Sequence, residues 1–154
     1  MATITKTVVI NAPIEKVFSL ITDPERVAPF IPGLVQASHV MLPLKPGSTF
    51  NWEYQFLGMS FRGDWVVEEL RPPHLYLSYS RGGISSRWMY TLVKKESMTV
   101  LTLDIDYGPP ASLLKRYMQS FIEPHTDKLA EAYLASMKSY LELTTASTPS
   151  QPPK

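Results

Sequence analysis

The chain has 154 residues with 15 Lys and Arg against 14 Asp and Glu, a net charge of +1, and no cysteine. That length suits one domain with its own core, the balanced charge without a basic run argues against nucleic acid and acidic membrane surfaces as partners, and the missing thiols exclude disulfides, thiolate metal sites and a cysteine nucleophile. No window approaches the roughly 20 apolar residues of a membrane span, and the first residues lack the apolar run of an export signal, so a cytoplasmic protein with no integral membrane contact is expected.

Thr3 to Ile10 is rich in β-branched residues, with Ile4, Val8 and Ile10 on one parity, and predicts a first strand. Asn11 can cap a following helix in which Pro13 is tolerated in the first turn and Val17, Phe18 and Ile21 form the apolar stripe. Asp23-Pro24-Glu25 repeats the start signal for a second short helix ending near Pro29.

From Val35 the period changes to two. Five strands are expected in an antiparallel meander, punctuated at Pro46-Gly47, Gly58, Pro72-Pro73, Gly82-Gly83 and Lys94 to Ser97. Phe50, Trp52, Tyr54 and Phe56 share one parity in the first; Phe61, Trp65 and Val67 follow in the second and Leu75, Leu77 and Tyr79 in the third. Trp88, Tyr90 and Leu92, then Leu101, Leu103, Ile105 and Tyr107, complete an apolar face. Arg62, Asp64, Glu68, Arg87, Asp104 and Asp106 fall on the opposite, wet face.

Pro109-Pro110 ends the meander. From there to Leu143, Leu113, Leu114, Tyr117, Phe121, Leu129, Tyr133, Met137 and Tyr140 recur at the spacing of one helical face. Pro124 removes a backbone donor within this stretch and predicts a kink or two abutting helices, the first part serving as a lid. Residues 144–154 are small, polar and proline-rich and are expected to be a disordered tail behind a single domain of residues 1–143.

The order of these elements resembles the helix-grip fold, an α+β arrangement in which a curved antiparallel β-sheet wraps around a long C-terminal α-helix, with two short N-terminal helices. Ile10-Asn11-Ala12-Pro13 with Val17-Phe18, Asp23-Pro24-Glu25 followed by Pro32-Gly33, Pro46-Gly47 before an aromatic strand, and Leu70-Arg71-Pro72-Pro73 are similar to stretches of the START-like (SRPBCC) superfamily. The likeness is to its polyketide cyclase/dehydrase and lipid transport branch, over about Ile4 to Glu142. It implies an apolar cavity between sheet and helix that holds a lipid, sterol, polyketide or other aromatic molecule.

The chemistry legible in the residues is sparse. His39, His74 and His125 are isolated, with no metal-ligand spacing, and no nucleophile elbow or phosphate-binding glycine loop occurs, so no catalytic residue, metal or cofactor is assigned. His74, Arg81 and His125 are the titratable groups able to reach a pocket mouth. The inward aromatic set is compatible with a filled core or with a cavity. The ligand-binding residues expected are Trp52, Tyr54, Phe56, Trp65, Tyr79, Trp88, Tyr90, Leu103 and Tyr107 on the sheet, with Tyr117 and Phe121 on the helix. The function expected is binding of a hydrophobic or aromatic small molecule. A cyclase, aromatase or dehydratase using the same cavity is one alternative, and a ligand-free interaction or chaperone-cofactor module is another; a homodimer is left open.

Overall fold

A computed structural model of the protein describes residues 2–108, 112 and 119–146. Strand β1 (Ala2–Ile10) leads into helices α1 (Ile14–Ile21) and α2 (Pro24–Val27) and a 3-10 turn at Ala28–Phe30. Six strands follow: β2 (Leu34–Ser38), β3 (Thr49–Phe56), β4 (Met59–Arg71), β5 (Leu75–Gly82), β6 (Ser85–Lys95) and β7 (Met98–Gly108). Helix α3 (Gln119–Ala146) closes the described chain. The strands form one antiparallel sheet in the order β1-β7-β6-β5-β4-β3-β2. The meander therefore holds one strand more than the period-two pattern predicts. The extra one, β2, is short and half-exposed, too little buried to stand out as an apolar run.

Local chemistry explains the element boundaries. Asp23 caps α2, its carboxylate accepting from the Arg26 amide, with Pro24 at the first helical position. The expected cap of α1 is corrected: Pro13, not Asn11, stands at the N-cap and no side chain caps there, while the Asn11 amide donates to Glu142 of α3. Leu57 and Gly58 turn β3 into β4 with φ of 51° and 82°, a two-residue turn whose left-handed positions favour glycine.

The concave face of the sheet packs on α3. Ile4, Ile10, Leu101, Leu103, Ile105, Tyr133, Leu134, Met137 and Leu141 belong to the main core, and Trp52, Phe56, Phe61 and Ile122 form a second, smaller cluster. Helix α3 runs unbroken through Pro124. Its buried stripe also departs from the expected one: Leu134 and Leu141 are buried, whereas Tyr140 is 38% exposed against Phe30. The helix continues past Leu143 to Ala146, with Thr145 accepting from Lys16. The expected tail from 147 onward, and the expected lid segment with Leu113, Leu114 and Tyr117, lie outside the described residues.

Polar latches fix the helix to the edge of the sheet. Lys6 sits on the inward parity of β1 and reaches Asp127 at 2.8 Å and Glu131 at 3.1 Å. Further along, Glu142 accepts from Lys138 at 2.6 Å and from the Asn11 amide at 2.8 Å, and Lys138 also donates to the Val9 carbonyl. Lys138 first, and then the Asn11 amide, hold the Glu142 carboxyl below its ordinary value of 4.5. A lowered carboxyl pKa contributes stability that is fully present above the unfolded value and is lost as pH falls through the folded one. Glu142→Gln is therefore expected to lower stability by about 0.5–1 kcal/mol at pH 7, discounted for partial exposure. In urea melts at descending pH, the gap between variant and parent should close below about pH 4.5; a gap that persists in acid would contradict the latch.

Candidate ligand cavity

Between the two apolar clusters the fold leaves space. A cavity of about 110 Å³ lies there, within a void of about 870 Å³ counted with its open mouth. The sheet contributes Trp52, Tyr54 and Phe56 from β3, Trp65 from β4, Ser80 from β5, Ser86 and Trp88 from β6, and Ile105 and Tyr107 from β7. Helix α3 contributes Ile122, Thr126, Leu129, Ala130 and Tyr133, and the loop after the 3-10 turn adds Ile31 and Pro32. A smaller chamber of about 30 Å³ lies beside it, touching Phe50, Tyr76, Ser78 and Tyr90. Trp52, Trp65 and Trp88 border both spaces. Trp65 and Trp88 meet edge to face with ring centres 5.3 Å apart.

All three tryptophans of the chain thus line one cavity. Each is held by its indole N–H: Trp52 donates to the Asp64 carbonyl at 2.9 Å, Trp65 to Ser78 Oγ at 2.6 Å and Trp88 to Ser86 Oγ at 3.0 Å. Pinned this way, the rings offer apolar faces to the interior. Two glycines make room for rings of the lining. A Cβ at Gly63 would overlap the Arg81 carbonyl and come within 2.6 Å of the Trp52 ring, and one at Gly33, where φ is +90°, would lie 2.9 Å from the Tyr54 ring.

Of the expected ligand-binding residues, the cavity gathers Trp52, Tyr54, Phe56, Trp65, Trp88 and Tyr107, and Tyr90 faces the smaller chamber. Leu103 is fully buried in the main core and borders neither space. Tyr79 is a correction. It pairs with Val66 and Arg87 on the convex face, because β5 turns Tyr76, Ser78 and Ser80 inward instead. The expectation follows hydrophobicity, but Tyr76 stacks on Tyr90 with centroids 5.5 Å apart, and the two serines are needed beneath the indoles. Tyr117 lies outside the described residues, as does the side chain of Phe121.

Small and polar lining residues give little signal in the sequence. Ser80, Ser86 and Ala130 carry no hydrophobic pattern of their own, yet they are what keeps the space open. Their one legible trace is period: each sits in step with larger inward residues of its own strand or helix. None of the expected mouth residues lines the cavity. Arg81 pairs with Asp64 outside, His74 Nδ1 contacts the Leu92 carbonyl, and His125 is on α3 with its ring 5.4 Å from Phe56. Asp104 and Asp106 accept from Thr5 and Thr3 on the outer face, as expected.

The titratable groups of the interior are phenols. Burial pushes Tyr54 up to about 12 and raises Tyr76, Tyr90 and Tyr133 further. Tyr90 and Tyr133 share a 2.8 Å hydrogen bond. No group of three or more His, Cys, Asp or Glu able to hold a metal occurs among the described residues, and no described helix is long and apolar enough to cross a membrane.

Comparison with known proteins places this architecture. The family described as polyketide cyclase / dehydrase and lipid transport matches residues 1–142. Among solved structures, TTHA0849 from Thermus thermophilus superposes with a TM-score of 0.75 at 15% identity, over 96% of this chain and 100% of that one. CV1439 from Chromobacterium violaceum gives 0.70 at 18%, over 92% and 99%. Ms6760 from Mycobacterium smegmatis gives 0.66 at 20%, over 92% of each. None of the curated proteins matches the sequence. Sheet order, gripping helix and family match agree: the chain belongs to the polyketide cyclase/dehydrase and lipid transport family of START-like proteins and has their helix-grip fold.

Proposed function

We propose that the protein binds a hydrophobic, mainly aromatic small molecule in the cavity between sheet and α3 and does not transform it. One observation carries this reading. Three indoles, each fixed by a hydrogen bond to the sheet, surround a space that the core leaves unfilled. Close-packed interiors keep few voids larger than a water molecule, and a dry apolar void of roughly 150 Å³ is enough to take up benzene. The enclosed space here is of that order and opens to a wider mouth, which suits one aromatic ring with its substituent toward the mouth.

Catalysis by the same cavity, as in a cyclase or dehydratase, requires a group that exchanges protons near neutral pH. The lining offers serine, threonine and tyrosine hydroxyls, and burial moves the phenols away from that range. Binding is the reading these groups support.

Thermal shift against a panel of neutral aromatics, sterols, fatty acids and polyphenols tests the proposal. A ligand at a hundred times its Kd stabilises by about 2.7 kcal/mol, roughly 5–10 °C for a domain of this size. At least one compact aromatic should give a saturating rise. No shift with any member of the panel would overturn the proposal.

A further inference from the structure

The hydrogen bonds around the cavity can be followed donor by donor. The three indole N–H groups are engaged by the sheet. Ser80 Oγ donates to the Ile84 carbonyl at 2.9 Å, so across the 2.6 Å contact between the two serines it is Ser86 that donates to Ser80. Thr126 donates to the Ile122 carbonyl at 2.9 Å. Tyr90 and Tyr133 bond each other.

Tyr107 differs from these. Its side chain is 7% exposed and lines the cavity, yet its hydroxyl is buried without a hydrogen bond. The Thr126 side chain stands beside it and partly offsets the rise that burial causes, but its own proton goes to the Ile122 carbonyl and no hydrogen bond of good geometry joins the two hydroxyls. A buried donor left unmade is costly, and it is the kind of group a ligand can satisfy. Among the described residues, no lining side chain carries a charge. The charged groups felt at Tyr107, Glu123 and Asp127, are acidic. An anionic ligand would therefore enter with no cation among the described lining residues to offset its desolvation and with the Glu123 carboxylate nearby.

We propose that the cavity selects neutral aromatic molecules bearing a hydrogen-bond acceptor oxygen, such as an aryl ketone, and that the Tyr107 hydroxyl donates to that oxygen. The inference rests on the cavity being a ligand site, as proposed above. The Thr126 side chain beside the hydroxyl, itself part of the lining, is the group that yields when the acceptor arrives. Burial raises the Tyr107 phenol above its ordinary value, so it remains a donor throughout the neutral range.

Isothermal titration with three probes of one shape tests this: acetophenone, α-methylstyrene, in which a methylene replaces the carbonyl oxygen, and benzoate. The parent protein should bind acetophenone about tenfold more tightly than either of the others, the equivalent of one hydrogen bond. Tyr107→Phe, which deletes a single oxygen, should bring acetophenone within about twofold of α-methylstyrene by weakening the ketone; a melting curve confirms that the variant is folded. Equal affinities in the parent, tight binding of benzoate, or a ketone preference that survives in Tyr107→Phe would each overturn the Tyr107 assignment while leaving a binding cavity in place. Absence of binding by all three would overturn the ketone assignment, and together with no shift across the wider panel would overturn the binding cavity as well.

Discussion

Replacing Gly63 with alanine is expected to destabilise the protein by about 3 kcal/mol, the upper range for forcing atoms into a packed interior. Gly63 lies on the inward parity of β4, opposite Trp52 on β3 and Gly82 on β5. The added methyl would meet the Arg81 carbonyl on one side and the Trp52 ring on the other. Neither can move cheaply. The carbonyl belongs to the paired strand β5, and the indole is 4% exposed and anchored to Asp64. Relief requires either opening the β4–β5 ladder or driving Trp52 into the cavity. A fall in Tm of roughly 6–12 °C, together with loss of ligand binding, is expected in thermal melts and titrations. A variant as stable as the parent would mean that Trp52 is not seated over Gly63.

Ala130→Phe should have the opposite profile. Ala130 is 6% exposed on the sheet-facing side of α3 and lines the cavity. A benzyl group placed there occupies the same kind of space as the single ring the cavity can hold, about 110 Å³. Ligand affinity should fall at least about a hundredfold, about 2.7 kcal/mol. Filling the void restores contacts that its walls now lack, so the change in stability is expected to stay within about 1 kcal/mol. Loss of binding with retained folding separates an occupied cavity from a damaged fold, which Gly63→Ala cannot do.

The fold is readable because its period is strong. Aromatic and aliphatic residues alternate cleanly through Phe50 to Phe56 and Leu101 to Tyr107, and both strands bury the predicted parity, with Tyr54 half-buried. In β5 the same reasoning points to the wrong face. Leu75, Leu77 and Tyr79 are the more hydrophobic set, but a face that must accommodate indoles from β4 and β6 needs small side chains, and Ser78 and Ser80 supply them with hydrogen bonds as well. The shift of register between Val67 and Glu69 in β4 adds to the difficulty, since it lets Val67 pair with Ser78 and Leu70 with Tyr76 on one face although they are three residues apart.

Size likewise decides what is legible of the site. Its large walls, Trp52, Trp65 and Trp88, announce themselves in sequence. Its emptiness does not, because a cavity is made by the small residues between the large ones, Ala130, Ser80 and Ser86 here, and small residues look alike whether they border space or a neighbouring atom. The tyrosines illustrate a related limit. Their number suggests hydroxyls awaiting a polar ligand, yet Tyr90 and Tyr133 satisfy each other, leaving Tyr107, among the described residues, as the buried one without a partner. Pro124 is a third case. It lies inside α3, past the first described turn, and the helix is carried through it without a break although its ring removes one backbone donor.

Tryptophan fluorescence gives the most direct test, because every tryptophan of the chain lines the cavity and needs no label. Parent and Ala130→Phe proteins would be titrated side by side with acetophenone, following emission at constant protein concentration. The cavity account predicts a saturable 1:1 quench in the parent and a linear, collisional response in Ala130→Phe. An identical saturable curve in both proteins, or no saturation in the parent, would contradict it.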